Sequence, residues 1–145
     1  MIRVAHCILG YFPQLGGAEN QARLLVRYLS AKGVSVTVFT RNYSDKSIPE
    51  PDRKSGLVRV WKASGLASKE ISAMLIAWRL IIKRRNYDLF HVHQLNVLAF
   101  FVTLAGHLTN KPVIIKVANS GAKFDFLTLA KRPFGRYMVA YLRKS

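Results

Sequence analysis

The segment Gly16–Gly17–Ala18–Glu19 puts two residues without side chains in front of an amphipathic stretch, with a carboxylate just inside it. Backbone lacking Cβ atoms lets a phosphate come close. The first turn of a following helix adds unpaired N–H donors and the positive end of a dipole. A tight strand-to-helix turn would use the same glycines, so the pair alone leaves both uses open. Glu19, in the first helical turn, reads as a partner of the helix dipole, with a contact to a ligand hydroxyl as the alternative. There is no G-x-G-x-x-G and no P-loop lysine, which disfavours ordinary dinucleotide or Walker-type phosphate binding.

The second group of reactive residues is His91, His93 and Gln94. The two histidines are two positions apart and share one strand face. A metal would need a third convergent ligand, and the seven carboxylates and the lone Cys7 offer none at metal-binding spacing, so no metal site is expected. His91 reads as a hydrogen-bonded strand residue, whereas His93 and Gln94 stand at a strand end, where polar residues serve a crevice. His6 reads as core, His107 as a packing residue and Asp88 as a turn residue. No Ser-His-Asp order or carboxylate pair suggests hydrolysis, and no catalytic residue is assigned. Lys and Arg do not alternate with aromatics as in a nucleic-acid platform, so nucleic acid is not an expected partner.

These residues must be positioned by a parallel sheet with crossover helices, because apolar runs alternate with helical patterns. IRVAHCI, VSVTVFT, LVRVWKA, YDLFHVH and KPVIIKVA read as five successive strands. Between them lie a helix from Ala18 to Lys32 stopped by Gly33, a polar proline-bearing loop, a helix from Ser68 ending in KRRN, and LNVLAFFVTLAGHL. That last helix is apolar nearly all round and is expected to be well buried. In such α/β sheets ligands bind beyond the carboxyl ends of the strands, where strand order reverses. With the first strand central, the loops carrying Gly16–Gly17 and His93–Gln94 become neighbours, and Asn119, Ser120 and Gly121 after the fifth strand lie beside them.

A chain of 145 residues allows one domain with a real core. A single cysteine excludes an internal disulfide, the start does not fit a signal peptide, and no apolar run reaches the ~20 residues of a spanning helix. A cytoplasmic protein is expected. The formal charge of +16 attracts polyanions, including anionic lipid and phosphorylated ligands, unless an acidic partner neutralises it. The mixed basic and aromatic segments KRRN and AKRPFGRYMVAYLRKS suit a peripheral contact with an anionic membrane, and a solvated basic helix end would look the same. RPFGRYMVAYLRKS reads as a helix with no strand after it, its apolar side uncovered, as though the chain stopped partway through an architecture.

GGAENQARLLVRYLSAKGVSVTVFT, YDLFHVHQ and KPVIIKVANSG, in that order, resemble the N-terminal half of retaining GT-B glycosyltransferases of the family-4 type. The resemblance covers nearly the whole chain. It implies a Rossmann-like, doubly wound half of a two-domain fold, residues 1–145 forming the incomplete acceptor side. A separate domain or second subunit would hold most of a nucleotide-sugar donor. Gly16 and Gly17 would then approach donor phosphates or acceptor, and His93 and Gln94 would line the acceptor side. Asn119 stands where many relatives carry a histidine and could hydrogen-bond a sugar or phosphate. No cofactor is implied beyond the nucleotide-sugar substrate. The expected function is sugar transfer to an acceptor hydroxyl, free or lipid-linked, in cell-surface glycan or glycolipid synthesis. The alternative is a non-catalytic basic module docking on an anionic membrane or a partner protein.

Overall fold

Residues Arg3–Cys7 form strand β1, and the alternation along it divides the core in two. Ala5 and Cys7 point to one face and Val4 and His6 to the other, as successive strand residues must. In the computed structural model, which describes residues 1–11, 16–41, 56–60 (backbone only), 68–117, 125–132 and 134–144, β1 lies at the centre of a five-stranded sheet. The other strands are β2 (Ser35–Arg41), β3 (Gly56–Val60), β4 (Leu89–Val92) and β5 (Val113–Ile115), in the order β3-β2-β1-β4-β5. Every pairing is parallel, with Ala5 opposite Thr37 on one side and opposite Phe90 on the other.

Helix α1 (Gly17–Ala31) covers the face carrying Val4 and His6, burying Ala22 and Val26 against Val4, Ile8, Val36 and Val38. Gly33, at φ +80°, turns the chain out of this helix, a conformation that side chains resist. Helices α2 (Ser68–Ile82) and α3 (Val97–Thr109) cover the opposite face, packing Ile76, Leu80, Leu98 and Val102 on Phe39, Phe90 and Val92. This division follows from right-handed crossovers, since the chain moves one way from β1 to β2 and the other way from β3 to β4 and β5. KRRN lies beyond α2, its Arg84–Asn86 forming a single 3₁₀ turn.

Two expectations change. Helix α3 is well buried but not all round: Leu104 and Leu108 are exposed, because the sheet, α2 and the chain's last helix cover its other sides and none of them reaches this edge. The terminal helix α5 (Gly135–Lys144), preceded by the short α4 (Asp125–Ala130), does find cover. Its Met138, Val139 and Leu142 pack on the core, and the Tyr141 ring lies 5.4 Å from Phe100 of α3.

One close approach locks α3 to β5. A Cβ on Gly106 would sit 2.3 Å from Val113 Cγ2 and 3.0 Å from the Lys111 carbonyl oxygen. Helix propensity favours alanine over glycine by about 1 kcal/mol, but overpacking of this kind costs about 1–3 kcal/mol. Gly106→Ala is therefore expected to lower the urea midpoint, and a higher midpoint would show that Val113 moves aside.

The α1 face also encloses polar groups. His6 and His91 are register partners, with their Nδ1 atoms 2.9 Å apart, and the His93 ring lies 5.2 Å from that of His6. Burial, aided by neighbouring imidazoles and Lys116, pushes His6 well below the ordinary histidine range; burial and Lys116 also lower His91. His93 is drawn down to about 4, first by burial and then by Lys116 and His91. Because each folded value lies below the unfolded one, the unfolded chain takes up protons first. Stability is thus complete above about pH 6.5 and drains as the pH falls toward 4. Urea midpoints measured between about pH 7 and pH 5 should fall with pH, and His93→Gln should flatten that slope. A slope unchanged by the substitution would exclude His93 as a source.

Candidate functional site

The chain reverses its direction across the sheet between β1 and β4, so the peptides leaving their carboxyl ends part and open a crevice. A cleft of about 390 Å³ lies there. Its floor comes from Leu9 and Gly10 after β1, Arg41 at the end of β2, and Gln94 to Val97 after β4. Its walls include Glu19 of α1, Lys69 of α2, and Asp125, Thr128 and Arg132 from α4 and the turn beyond it. Among the described residues, four helices begin at this edge, α1, α2, α3 and α4. Asn96 caps α3, its side-chain oxygen accepting the Leu98 N–H at 2.9 Å. Gly16 caps α1 without a side-chain hydrogen bond, which leaves that end to the backbone alone.

Charge in the cleft is mixed with a cationic excess: Arg41, Lys69 and Arg132 face Glu19 and Asp125. Arg132 forms an ion pair with Glu70, whose Oε2 is buried without a hydrogen-bond partner. Burial lowers Arg41 from its ordinary value, and a guanidinium still keeps its charge at neutral pH. Lys116, just past β5, donates from Nζ to Gln21 Oε1 at 2.5 Å and so ties the edge strand to α1. Such a lining suits an anionic or polyhydroxylated ligand: cations and helix N-termini attract phosphate, and Gln94 offers both a donor and an acceptor.

The two glycines differ. A Cβ on Gly16 would lie 2.3 Å from Glu19 Oε2, because the Glu19 carboxylate folds back over the helix start. A Cβ on Gly17 would meet nothing within 4 Å among the described residues, and Gly17 has no left-handed φ. Among those residues, neither packing nor backbone conformation demands a glycine at 17.

Of the residues singled out in the sequence, Glu19 and Gln94 line the cleft, and Gly16 and Gly17 start the helix that carries Glu19. His93 does not line it: its side chain is 1% exposed, turned to the α1 face beside the Ala18 backbone, and neither ring nitrogen has a hydrogen-bond partner. Asn119, Ser120 and Gly121 lie outside the described residues. The missing third partner for His91 and His93 is His6, which spacing along the chain could not reveal because strand pairing supplies it. The ligating nitrogens of the three lie within 4.8 Å of one another, enough donors for a metal, but Lys116 adds positive charge and no carboxylate or thiolate among the described residues joins them. Arg41, Lys69, Asn96 and Arg132 escaped the sequence reading. Only Asn96, a capping residue ahead of an apolar run, carried a local signal.

The sequence profile of Glycosyltransferase Family 4 matches residues 15–145. No curated protein sequence matches the chain. Among solved structures, the fold is similar to sucrose-phosphate synthase from Thermosynechococcus elongatus, with a TM-score of 0.60 at 15% identity over 98% of this chain and 40% of that one. It is also similar to MurG of Acinetobacter baumannii, with a TM-score of 0.56 at 19% identity over 79% of this chain and 35% of that one. The chain thus spans well under half the length of either structure. With its parallel sheet, its crevice at the reversal point and a profile match over nearly its whole length, the chain belongs to Glycosyltransferase Family 4 and has the Rossmann-like fold of a GT-B N-terminal domain.

Proposed function

We propose that this domain forms the acceptor side of an enzyme that moves a sugar from a nucleotide-sugar to an acceptor hydroxyl, in the synthesis of a cell-surface glycan or glycolipid. The observation that carries this reading is Gly17. It stands bare at the N-terminus of the helix whose Glu19 lines the cleft, although neither its described neighbours nor its backbone requires a glycine. A residue kept small with open space in front of it leaves room for a ligand to reach the backbone N–H groups.

In this reading the α1 N-terminus receives phosphate oxygens, and Arg41, Lys69 and Arg132 hold negative charge over the cleft. Gln94 hydrogen-bonds a hydroxyl of the acceptor and holds it in the cleft. Transfer forms a bond from the acceptor oxygen to the anomeric carbon, breaks the bond from that carbon to the diphosphate, and passes the hydroxyl proton to the departing phosphate. No side chain of this domain is then needed as a base. A second domain, contributed by the same or another polypeptide, grips the donor; this domain alone transfers no sugar at an enzymatic rate.

Gly17→Val should leave the urea midpoint in place, since its side chain projects into open space, yet lower kcat/KM of the complete enzyme by about a hundred-fold or more. Release of nucleoside diphosphate from a panel of nucleotide-sugars measures it, and undiminished turnover would remove the glycine loop from the mechanism. Gln94→Ala is expected to raise the acceptor KM roughly five- to ten-fold with little change in kcat, as the loss of one neutral hydrogen bond should. A fall in kcat alone would give Gln94 a role confined to the transition state.

A further inference from the structure

The face of α2 turned away from the sheet is apolar along its whole length. Ile71, Met74, Leu75, Trp78 and Ile82 recur at helical spacing and are all exposed, Trp78 by 60%. They form a stripe about 16 Å long at the rise of an α-helix. Leu104 and Leu108 of α3 continue it, and between the two helices runs an open groove of about 460 Å³ whose lining among the described residues contains no polar or charged residue. Water-soluble surfaces rarely carry so continuous an apolar patch without something to cover it.

Charge around the patch says what covers it. Arg79 is exposed on the same helix, and Lys83, Arg84 and Arg85 follow its last turn. Lys111 follows α3. The acid at this end, Asp88, is held by Arg3 at 2.7 Å. At the other end, Glu70 is paired with Arg132. The net charge of +16 makes a second copy of the chain repel the first, so self-association is an unfavourable way to bury the stripe. An anionic lipid surface satisfies both features at once: cations meet headgroups while Trp, Met, Leu and Ile enter the boundary below them. No helix among the described residues is long and apolar enough to cross a bilayer, so the contact is peripheral.

We propose that the outer face of α2 and α3 seats on an anionic bilayer, with Trp78 and Leu108 in the headgroup boundary and the Lys83–Arg85 cluster on the lipid phosphates. The sequence pointed to KRRN and the C-terminal segment. KRRN borders this stripe, whereas in the C-terminal segment Met138, Val139 and Leu142 of α5 pack against the core and Phe134 and Tyr137 are exposed. Lys69, two residues before Ile71, lines the cleft, so the bound bilayer lies beside the mouth of the candidate site. This inference rests on the surface alone and is tested without any sugar substrate, so it stands or falls apart from the transfer reading.

The test is sedimentation of the protein with phosphatidylcholine vesicles, with and without phosphatidylglycerol, together with Trp78 fluorescence in a Trp61→Phe background that leaves Trp78 as the sole tryptophan. Binding should require phosphatidylglycerol, fall as salt rises and shift Trp78 emission to the blue. Arg84→Gln with Arg85→Gln should lower the partition coefficient roughly thirty-fold, about five-fold for each cation. Trp78→Ser, at an exposed position, should weaken binding with the urea midpoint unchanged. Absence of binding overturns the proposal. So does equal binding to neutral vesicles, which marks indiscriminate apolar adhesion, or binding with unchanged Trp78 emission, which places the contact elsewhere. A dimer in solution that Trp78→Ser dissociates would assign the face to a second copy and overturn it too.

Discussion

Everything in this domain hangs on β1 being paired on both edges. Its backbone bonds to β2 on one side and β4 on the other, and the chain must cross over it to pass from β3 to β4. Because crossovers are right-handed, that reversal sends α1 to one face and α2 and α3 to the other. The peptides leaving β1 and β4 therefore diverge, and the space between them is the cleft. Moving β1 to an edge would leave the helix N-termini and the basic side chains of the cleft without a common focus.

The two faces use that frame differently. On the α1 face the sheet buries His6 and His93 and half-buries His91 beside a small apolar cluster, with His6 Nε2 and both nitrogens of His93 without a hydrogen-bond partner among the described residues. Burial and the nearby Lys116 favour their neutral forms, so the polar groups sit in the interior without adding charge to it. The α2–α3 face is the larger apolar core, and its buried Cys7 thiol is pushed up in pKa by desolvation and stays unreactive. Here the apolar character passes through the helices to their outer surface, where Trp78 and Leu108 meet solvent.

Scarcity of acid shapes both the cleft and the surface. Only seven carboxylates face 23 Lys and Arg residues. Glu70 and Asp88 are held in ion pairs with Arg132 and Arg3, while Glu19 and Asp125 line the cleft. The Arg3 guanidinium holds the Asp88 carboxyl down at about 2, so the carboxylate persists into acid, although the pair is exposed and solvent weakens what it contributes. Positive charge thus outnumbers negative around the cleft, which suits phosphate-bearing ligands.

The amino-acid sequence by itself determined the elements and their order. β-branched runs such as VSVTVFT, the amphipathic spacing of Ala22 and Val26, and Gly33 at a positive φ are local signals, and each acts within a few residues of where it is written. The motif order was also legible, and with it the family and the nearness of Glu19 and Gln94, which both line the crevice. Contacts between residues far apart in the chain were not. His6 meets His91 across 85 positions because parallel strands pair there, and Arg132 meets Glu70 across 62 because α4 folds back on α2. His93 looks crevice-facing from its place at a strand end, yet the pleat turns its side chain under α1. Helix α3 reads as apolar nearly all round and well buried, and most of it is, but how much of an apolar helix is covered depends on its neighbours, and these leave Leu104 and Leu108 in the open. Local composition fixes what a segment becomes; which of its faces is hidden, and which charges stand together, is decided only when the sheet is assembled.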